Sequence, residues 1–305
     1  VKIKDIELKE ENPAKELVRC FASTGFQASS LADAVELIAE MKRAKATIFF
    51  SFTANMVASG LRGVFAELCR KKFVDAVVTT AGSIDHDVIK SFLPYEVGAF
   101  DVDDVALHRK GINRIGNIFV PTAHFEFFEE KMRKWLKELY GKEKMVSPME
   151  LCDFIGSKLN EKNSFLYWCH KNKIPVFCPG IVDGAIGLQA HFFKQDHPNF
   201  GIDVTKDMRN IATLVLGAKK TAAIILGGGI SKHYTIGSNL LRGGLDYAIY
   251  VSTAAEWDGS LSGARTREAK SWGKIKEKAR EVNVFGDATI LFPLIVAALK
   301  EEKVV

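Results

Sequence analysis

Short apolar runs, each leading into a loop of small residues, constrain this chain more than any other feature. They fall at residues 46–50 (ATIFF), 76–79 (AVVT), 176–179 (VFCP), 222–226 (AAIIL) and 246–251 (DYAIYV). Runs this short and this apolar read as buried strands. Helical patterns separate them. Leu31, Ala34, Val35, Ile38 and Met41 recur at helical spacing over 31–43, with Ser30 and Asp33 in a capping pattern. Further helices are expected at 55–71, 188–193, 205–216, 231–241 and 289–300, the last capped by Asp287. The helix at 205–216 would turn Met208, Ile211, Ala212 and Val215 to one face. A basic amphipathic helix is expected at 122–140, with Phe125, Phe128, Met132, Trp135, Leu136 and Leu139 inward. Short strands are expected at 118–120 and near Val284, and 141–147 is the best linker. Strand, turn, helix, strand at this spacing is the rhythm of crossover connections. The expected fold class is α/β, one domain over 1–305 with a mostly parallel sheet flanked by helices.

In such folds ligands sit beyond the carboxyl ends of the strands. The loops there are 51–55, 79–87, 182–187, 227–233 and 252–260, all rich in Gly, Ala, Ser and Thr. Small residues let backbone approach a phosphate or ribose closely. Five such loops together point to a nucleotide site. The usual fingerprints are absent: Gly227-Gly228-Gly229 lacks the spaced third glycine, and there is no P-loop. His86, His233 and Asp183 lack any helical H-x-x-x-H or cysteine cluster to make a metal site, so no metal is expected. No G-x-S-x-G elbow supports a serine nucleophile.

Bulk properties narrow the class. The longest apolar runs are far too short to span a bilayer, and the opening VKIKDIELKEEN has no signal-peptide core, so no membrane association is expected. The five cysteines are scattered without a C-x-x-C pair, which suits reduced thiols and a cytoplasmic location. A net charge of +5 on 305 residues is too mild to argue for nucleic acid.

The richest stretch is 256–274, EWDGSLSGARTREAKSWGK. It joins Glu256, Asp258 and Glu268 to a glycine-containing loop and then Trp272-Gly273-Lys274. A lysine becomes a nucleophile when its ammonium is disfavoured, by an apolar wall or by like charge. Trp272 would supply the wall, and Lys270, Lys276 and Lys278 the charge. If the segment is extended, indole and amine share a face.

Ordered blocks carry a specific resemblance. They are TGFQA (24–28), TANMVASG (53–60), VVTTAG (77–82), GINRIGN (111–117) and IPVFCP (174–179). They continue as IILGGGISKH (224–233), DYAIYVSTA (246–254), DGSLSGAR (258–265), EAKSWGKI (268–275) and GDATILFPL (286–294). Over nearly its full length the chain resembles the deoxyhypusine synthase family. The resemblance implies a Rossmann-like fold, NAD as cofactor and a homotetramer. It also implies transfer of the aminobutyl portion of spermidine, through an enzyme-lysine imine, to a lysine of translation initiation factor 5A. The imine-forming lysine falls on Lys274, with His233 assisting proton transfer. Trp272, Glu268, Gly259 and Ser260 fall at the polyamine. Cofactor contacts fall on Thr53, Ala54, Asn55, Met56, Val57, Thr80, Ala81, Gly82, Asp183, Thr253, Ala254, Asp287 and Ala288.

Three positions depart from the family pattern. Where better-known members hold the polyamine with acids, this chain has His86, Leu188 and Leu261. Losing such contacts weakens a tri-cation's binding by roughly 1.5–3 kcal/mol each. Asp85, Glu256 and Asp258 could replace them in part. The alternatives are the same imine chemistry with another donor or acceptor, such as agmatine or homospermidine formation, and an NAD-binding paralogue without turnover.

Overall fold

The computed structural model describes residues 2–8 and 10–305. Its strands are β1 (Thr47–Phe52), β2 (Ala76–Val78), β3 (Glu96–Val97), β4 (Ile112–Ile115), β5 (Ile118–Pro121) and β6 (Met145–Val146). They continue as β7 (Val176–Phe177), β8 (Gly201–Ile202), β9 (Thr221–Leu226), β10 (Leu245–Ser252) and β11 (Ile275–Phe285). The helices are α1 (Ala14–Phe21), α2 (Gln27–Arg43), α3 (Ala54–Ala58), α4 (Arg62–Arg70), α5 (Ala81–Lys90), α6 (Asp104–Arg109) and α7 (Thr122–Tyr140). Then come α8 (Pro148–Ser157), α9 (Phe165–Asn172), α10 (Ala185–Asp196), α11 (Lys206–Gly217), α12 (Gly229–Ser238), α13 (Thr266–Ser271) and α14 (Ala288–Glu301). The expected α/β class with a mostly parallel sheet is what the structure has.

The chain divides into two compact units. Unit 1 is Val1–Phe52, Lys71–Val78 and Arg209–Val305; unit 2 is Thr53–Arg70 and Thr79–Met208. Each is assembled from segments distant in sequence, so no composition shift marks the division. The expected linker at 141–147 lies inside unit 2 and contains β6.

Unit 1 holds five parallel strands in the order β11-β10-β9-β1-β2. Every residue of β9 is buried, as a central strand covered on both faces requires. Ile48, Phe49, Phe50 and Phe52 of β1 are fully buried, each contributing roughly 1.5–3 kcal/mol. Phe50 stacks on Phe292 of α14 with ring centroids 5.5 Å apart. The strand expected near Val284 is the eleven-residue β11. Its charged residues, Lys276 to Arg280 among them, broke the apolar pattern by which the other strands were recognised.

Unit 2 packs α4 on α9, α8 on α9, α3 on α5 and α10 on α7. A small antiparallel sheet, β3-β5-β4, and the parallel pair β6-β8 complete it. At its centre is α5, where Ser83, Asp85, His86 and Asp87 are buried beside Ala81, Ile84, Val88 and Ile89. The sequence pattern gave 79–87 as a loop, because a helix this polar does not read as core. Its buried groups are all partnered. Asp87 accepts from Arg62 Nε, Ser164 Oγ and the Leu166 amide.

Other expectations are corrected. The helix expected at 55–71 is two helices, α3 and α4, broken at Ser59-Gly60-Leu61. α2 starts before Ser30, preceded by Phe26 at φ +58, so Ser30 and Asp33 lie inside the helix rather than at its cap. Met208 is 61% exposed and Asp207 faces inward instead, accepting from the Met149 amide at 2.9 Å. Helices α8 and α9 were missed, although Ser147-Pro148-Met149-Glu150 forms a complete capping box and Ser164 caps α9.

Candidate active site

The Trp272-Gly273-Lys274 triplet is the end of a helix, not an extended segment. Trp272 caps α13 and Gly273 follows at φ +69, a region that favours glycine. The Gly273 amide donates to Lys270 O and the Lys274 amide to Ala269 O, both at 2.9 Å, the pairing of a Schellman turn. The Lys274 carbonyl accepts from the Leu245 amide at 3.0 Å. Lys274 is thus pinned on both sides by its backbone just before β11 begins. Gly244, at φ +101, lies so close beneath the turn that a Cβ there would come within 2.8 Å of Gly273 O.

The turn still brings amine and indole together: Lys274 Nζ lies 5.2 Å from the Trp272 ring centroid. An indole face attracts a cation, so the ring alone does not disfavour the ammonium. The like charge expected nearby is also taken up, since Lys270 pairs with Glu281 at 3.0 Å and Lys276 with Asp246 at 2.6 Å. Trp272 is 67% exposed, leaving its face open to a ligand.

The other expected residues of unit 1 sit on neighbouring segments. His233 is on the exposed side of α12, and Glu268 is exposed on α13 and makes no ion pair among the described residues. Gly259, at φ +74, turns the chain after a short 3-10 turn at Glu256–Asp258, and the Ser260 amide donates to Asp258 at 2.6 Å. Glu256 is held by Arg265 at 3.2 Å. Thr253 and Ala254 directly follow β10. Asp287 caps α14, accepting from the Thr289 amide at 2.7 Å, with Ala288 buried behind it. Leu261 packs against the core cluster of Ile225, Ile236, Leu245 and Tyr250, which explains an apolar side chain there.

In unit 2 the structure brings three expected segments together. A Cβ on Gly82 would lie 2.9 Å from that of Ala54, and one on Gly184 would lie 2.7 Å from that of Ala81. Residues 53–57, 80–82 and 183–184 therefore converge where only small side chains fit. α5 starts after Thr80 without a side-chain cap, so its first amides are not taken by a capping side chain. Closely approached backbone, a helix start without a side-chain cap and the exposed Asn55 and Asp183 fit a dinucleotide's phosphates and hydroxyls.

Asp85 and His86, expected at the amine, are buried in the fold. Both Asp85 oxygens cap α10, accepting from the Ala185 and Ile186 amides at 2.8 and 3.0 Å. Burial pushes the Asp85 carboxyl up to about 7, against the pull of those amides. His86 Nδ1 lies 2.8 Å from the Tyr95 hydroxyl, and burial, with Lys90 adding to it, lowers its pKa to about 4, so the ring is neutral at pH 7. Neither is open to a donor's ammonium, whereas Leu188 is half exposed.

The Asp85 shift has a testable sign. The folded carboxyl binds its proton more tightly than the unfolded one, whose value is 3.8. Its stabilising contribution is present below that value and is lost as pH rises through about 7. His86 acts oppositely, losing stability as pH falls from 6.5 towards about 4. The stability difference between the parent and Asp85→Asn isolates the carboxyl. Calorimetry should show the parent losing on the order of 3 kcal/mol relative to the variant between about pH 4 and pH 8. A difference that does not change with pH would refute the assignment.

Sequence reasoning missed two lysines. Lys90 Nζ collects the Val57, Ala58 and Ser59 carbonyls at 2.9, 2.8 and 2.6 Å, closing the end of α3 and explaining the break before α4. Lys232 is buried against the loop 261–264. Neither carries a motif, because each acts on backbone. Two hollows in unit 2, of about 470 and 600 Å³, line none of the expected site residues.

Comparison with known proteins identifies the family. The deoxyhypusine synthase family model matches residues 16–299. A protein named probable deoxyhypusine synthase from Picrophilus torridus is 44% identical, covering 97% of this chain and 96% of the relative. Another from Methanocaldococcus jannaschii is 44% identical over 95% of this chain and 93% of its own length. A crystal structure from Entamoeba histolytica, assigned to deoxyhypusine synthase, superposes with a TM-score of 0.72 at 26% identity, covering 97% and 96% of the two chains. No helix among the described residues is long and apolar enough to cross a membrane. The chain belongs to the deoxyhypusine synthase family, transferases that carry an aminobutyl group to a protein lysine.

Proposed function

We propose that this enzyme takes its aminobutyl group from spermidine and delivers it to a lysine of translation initiation factor 5A, using NAD, as a cytoplasmic homotetramer. The observation that carries the reading is Lys274, a primary amine fixed through its backbone on both sides beside an open indole face. The segments 53–57, 80–82 and 183 of unit 2 would hold the cofactor. NAD, when bound, supplies the acceptor for a hydride from the donor's carbon and the source for its return.

The chain's own residues account for the remaining chemistry. His233 takes the proton released from the donor nitrogen as its carbon is oxidised. The Lys274 amine then adds to the C=N carbon, the bond to diaminopropane breaks, and the butylamine portion stays on Lys274 as an imine. The acceptor lysine displaces Lys274 by the same addition and elimination. Glu268 offers its carboxylate to the donor's far ammonium, and Trp272 its ring face to the chain between.

A second donor is favoured by one observation. In unit 2 Asp85 and His86 are buried, and in unit 1 Leu261 is partly buried against a core cluster, so few of the expected positions offer a carboxylate to a tri-cation. A donor with fewer charges, such as agmatine, or transfer forming homospermidine, is the second reading. The test is to incubate the protein with NAD and either amine, reduce with borohydride and map the adduct by peptide mass. An adduct on Lys274 with spermidine supports the first reading, and one with agmatine alone supports the second. No adduct with any amine sinks both.

A further inference from the structure

Lys232 is 1% exposed, yet it makes no ion pair among the described residues. Its ammonium is surrounded by backbone. Nζ donates to Ala264 O at 2.7 Å and Leu261 O at 2.8 Å, with Ser262 O at 3.4 Å, and it lies 4.3 Å from the Tyr250 ring centroid. Three N–H groups meet three carbonyls, and an aromatic face covers another side. An unpaired buried charge is costly, so it persists only where its surroundings compensate for it.

The compensation comes from one loop, between the 3-10 turn at Glu256–Asp258 and α13. The same loop is seated on the start of α12 by close backbone approach. The Gly229 amide donates to Ser262 Oγ at 3.1 Å, and a Cβ on Gly228 would lie 2.5 Å from Ser262. On its other side a Cβ on Gly263 would lie 1.7 Å from Ala255 O. With the carbonyls of 261, 262 and 264 turned inward to the ammonium, the loop has one seated conformation, which sets where Gly259 and Ser260 are presented.

We propose that Lys232 is a positioning residue that holds the loop 259–264 in its donor-binding conformation and takes no part in covalent chemistry. The donor-binding role of Gly259 and Ser260 rests on the function proposed above; the holding of the loop does not. Burial lowers the Lys232 pKa to about 8, with Glu268 opposing and Arg265 adding. On that ground alone Lys232 would compete with Lys274 as the imine-forming lysine. The geometry decides otherwise, because its N–H groups are committed to carbonyls and its Nζ is closed off from a donor.

The test uses Lys232→Met, which keeps length and removes the donors, beside Tyr250→Leu, which removes the ring, and Tyr250→Phe as control. In the protein without ligands, trypsin cleavage after Arg265 and Arg267 should accelerate at least about tenfold in Lys232→Met and remain at the parent rate in Tyr250→Phe. With a donor that gives the borohydride adduct, KM for that donor should rise roughly 10–100-fold while kcat stays within about threefold. The adduct should remain on Lys274. If Lys232→Met fails to fold, the same readouts on Tyr250→Leu, with smaller changes, carry the decision. Unchanged cleavage and KM would overturn the proposal, as would a kcat loss without a KM change or an adduct on Lys232. Faster cleavage with no adduct from any amine would leave the loop-holding role standing and remove the proposed donor chemistry.

Discussion

Lys274→Ala should abolish transfer, with a loss of at least about 10⁴-fold, because it removes the nucleophile on which the aminobutyl group would rest. The fold should survive, since the turn is held by backbone groups and by Gly273 rather than by the lysine side chain. Lys274→Arg separates two roles of that side chain. A guanidinium would keep the cationic contact with Trp272, but it stays protonated and cannot add to a C=N carbon. Both variants should therefore be inactive in a transfer assay with labelled spermidine and should give no borohydride adduct. Cofactor binding, followed by calorimetry, should persist in both. Transfer by Lys274→Arg would show that charge rather than nucleophilicity is what the position supplies.

How far this was legible in the sequence depends on whether side chains or backbone carry the information. The strands β1, β9 and β10 were legible because a central parallel strand is apolar at almost every position, as β9 is here. α5 was not, because four of its buried residues are polar and only their partners, far along the chain, make them core. β11 was masked by the charged residues it exposes at the sheet edge, where such residues also discourage pairing with another chain. The two-unit division was invisible because each unit draws on separate stretches of chain.

The site divides the same way. Lys274, Trp272 and Glu268 stand in one short motif, so their proximity could be read directly, although the assumed extended geometry was a Schellman turn. Close approaches such as Gly82 on Ala54 and Gly184 on Ala81 were legible only as a surplus of small residues at strand ends. Asp85 was misread. Its acidity suggested an ammonium ligand, and nothing local reveals that the start of α10, a hundred residues on, takes both its oxygens. Lys90 and Lys232 could not be found at all, because a lysine that binds carbonyls leaves no partner residue type in the sequence.

Arg62→Met should cost unit 2 about 3–5 kcal/mol, because it removes one member of a buried ion pair. Arg62 and Asp87 are 6% and 0% exposed, and the guanidinium spends its donors on Asp87, Ser91 Oγ and the Lys90 carbonyl. Removing it strands a buried carboxylate that still accepts from Ser164 and Leu166 but has lost its charge partner. Asp87 also ties α5 to the start of α9, and α5 begins with the segment proposed for the cofactor. The variant should therefore show a lowered denaturant midpoint and weaker NAD binding together. The double variant Arg62→Met, Asp87→Leu provides the control. If the loss comes from an uncompensated charge, removing the second partner should restore part of the stability, because replacing both members of a buried pair with apolar groups costs much less than removing one. If the double variant is no more stable than Arg62→Met alone, the loss lies in the hydrogen bonds the two side chains make to the backbone, and the charge pair itself contributes little.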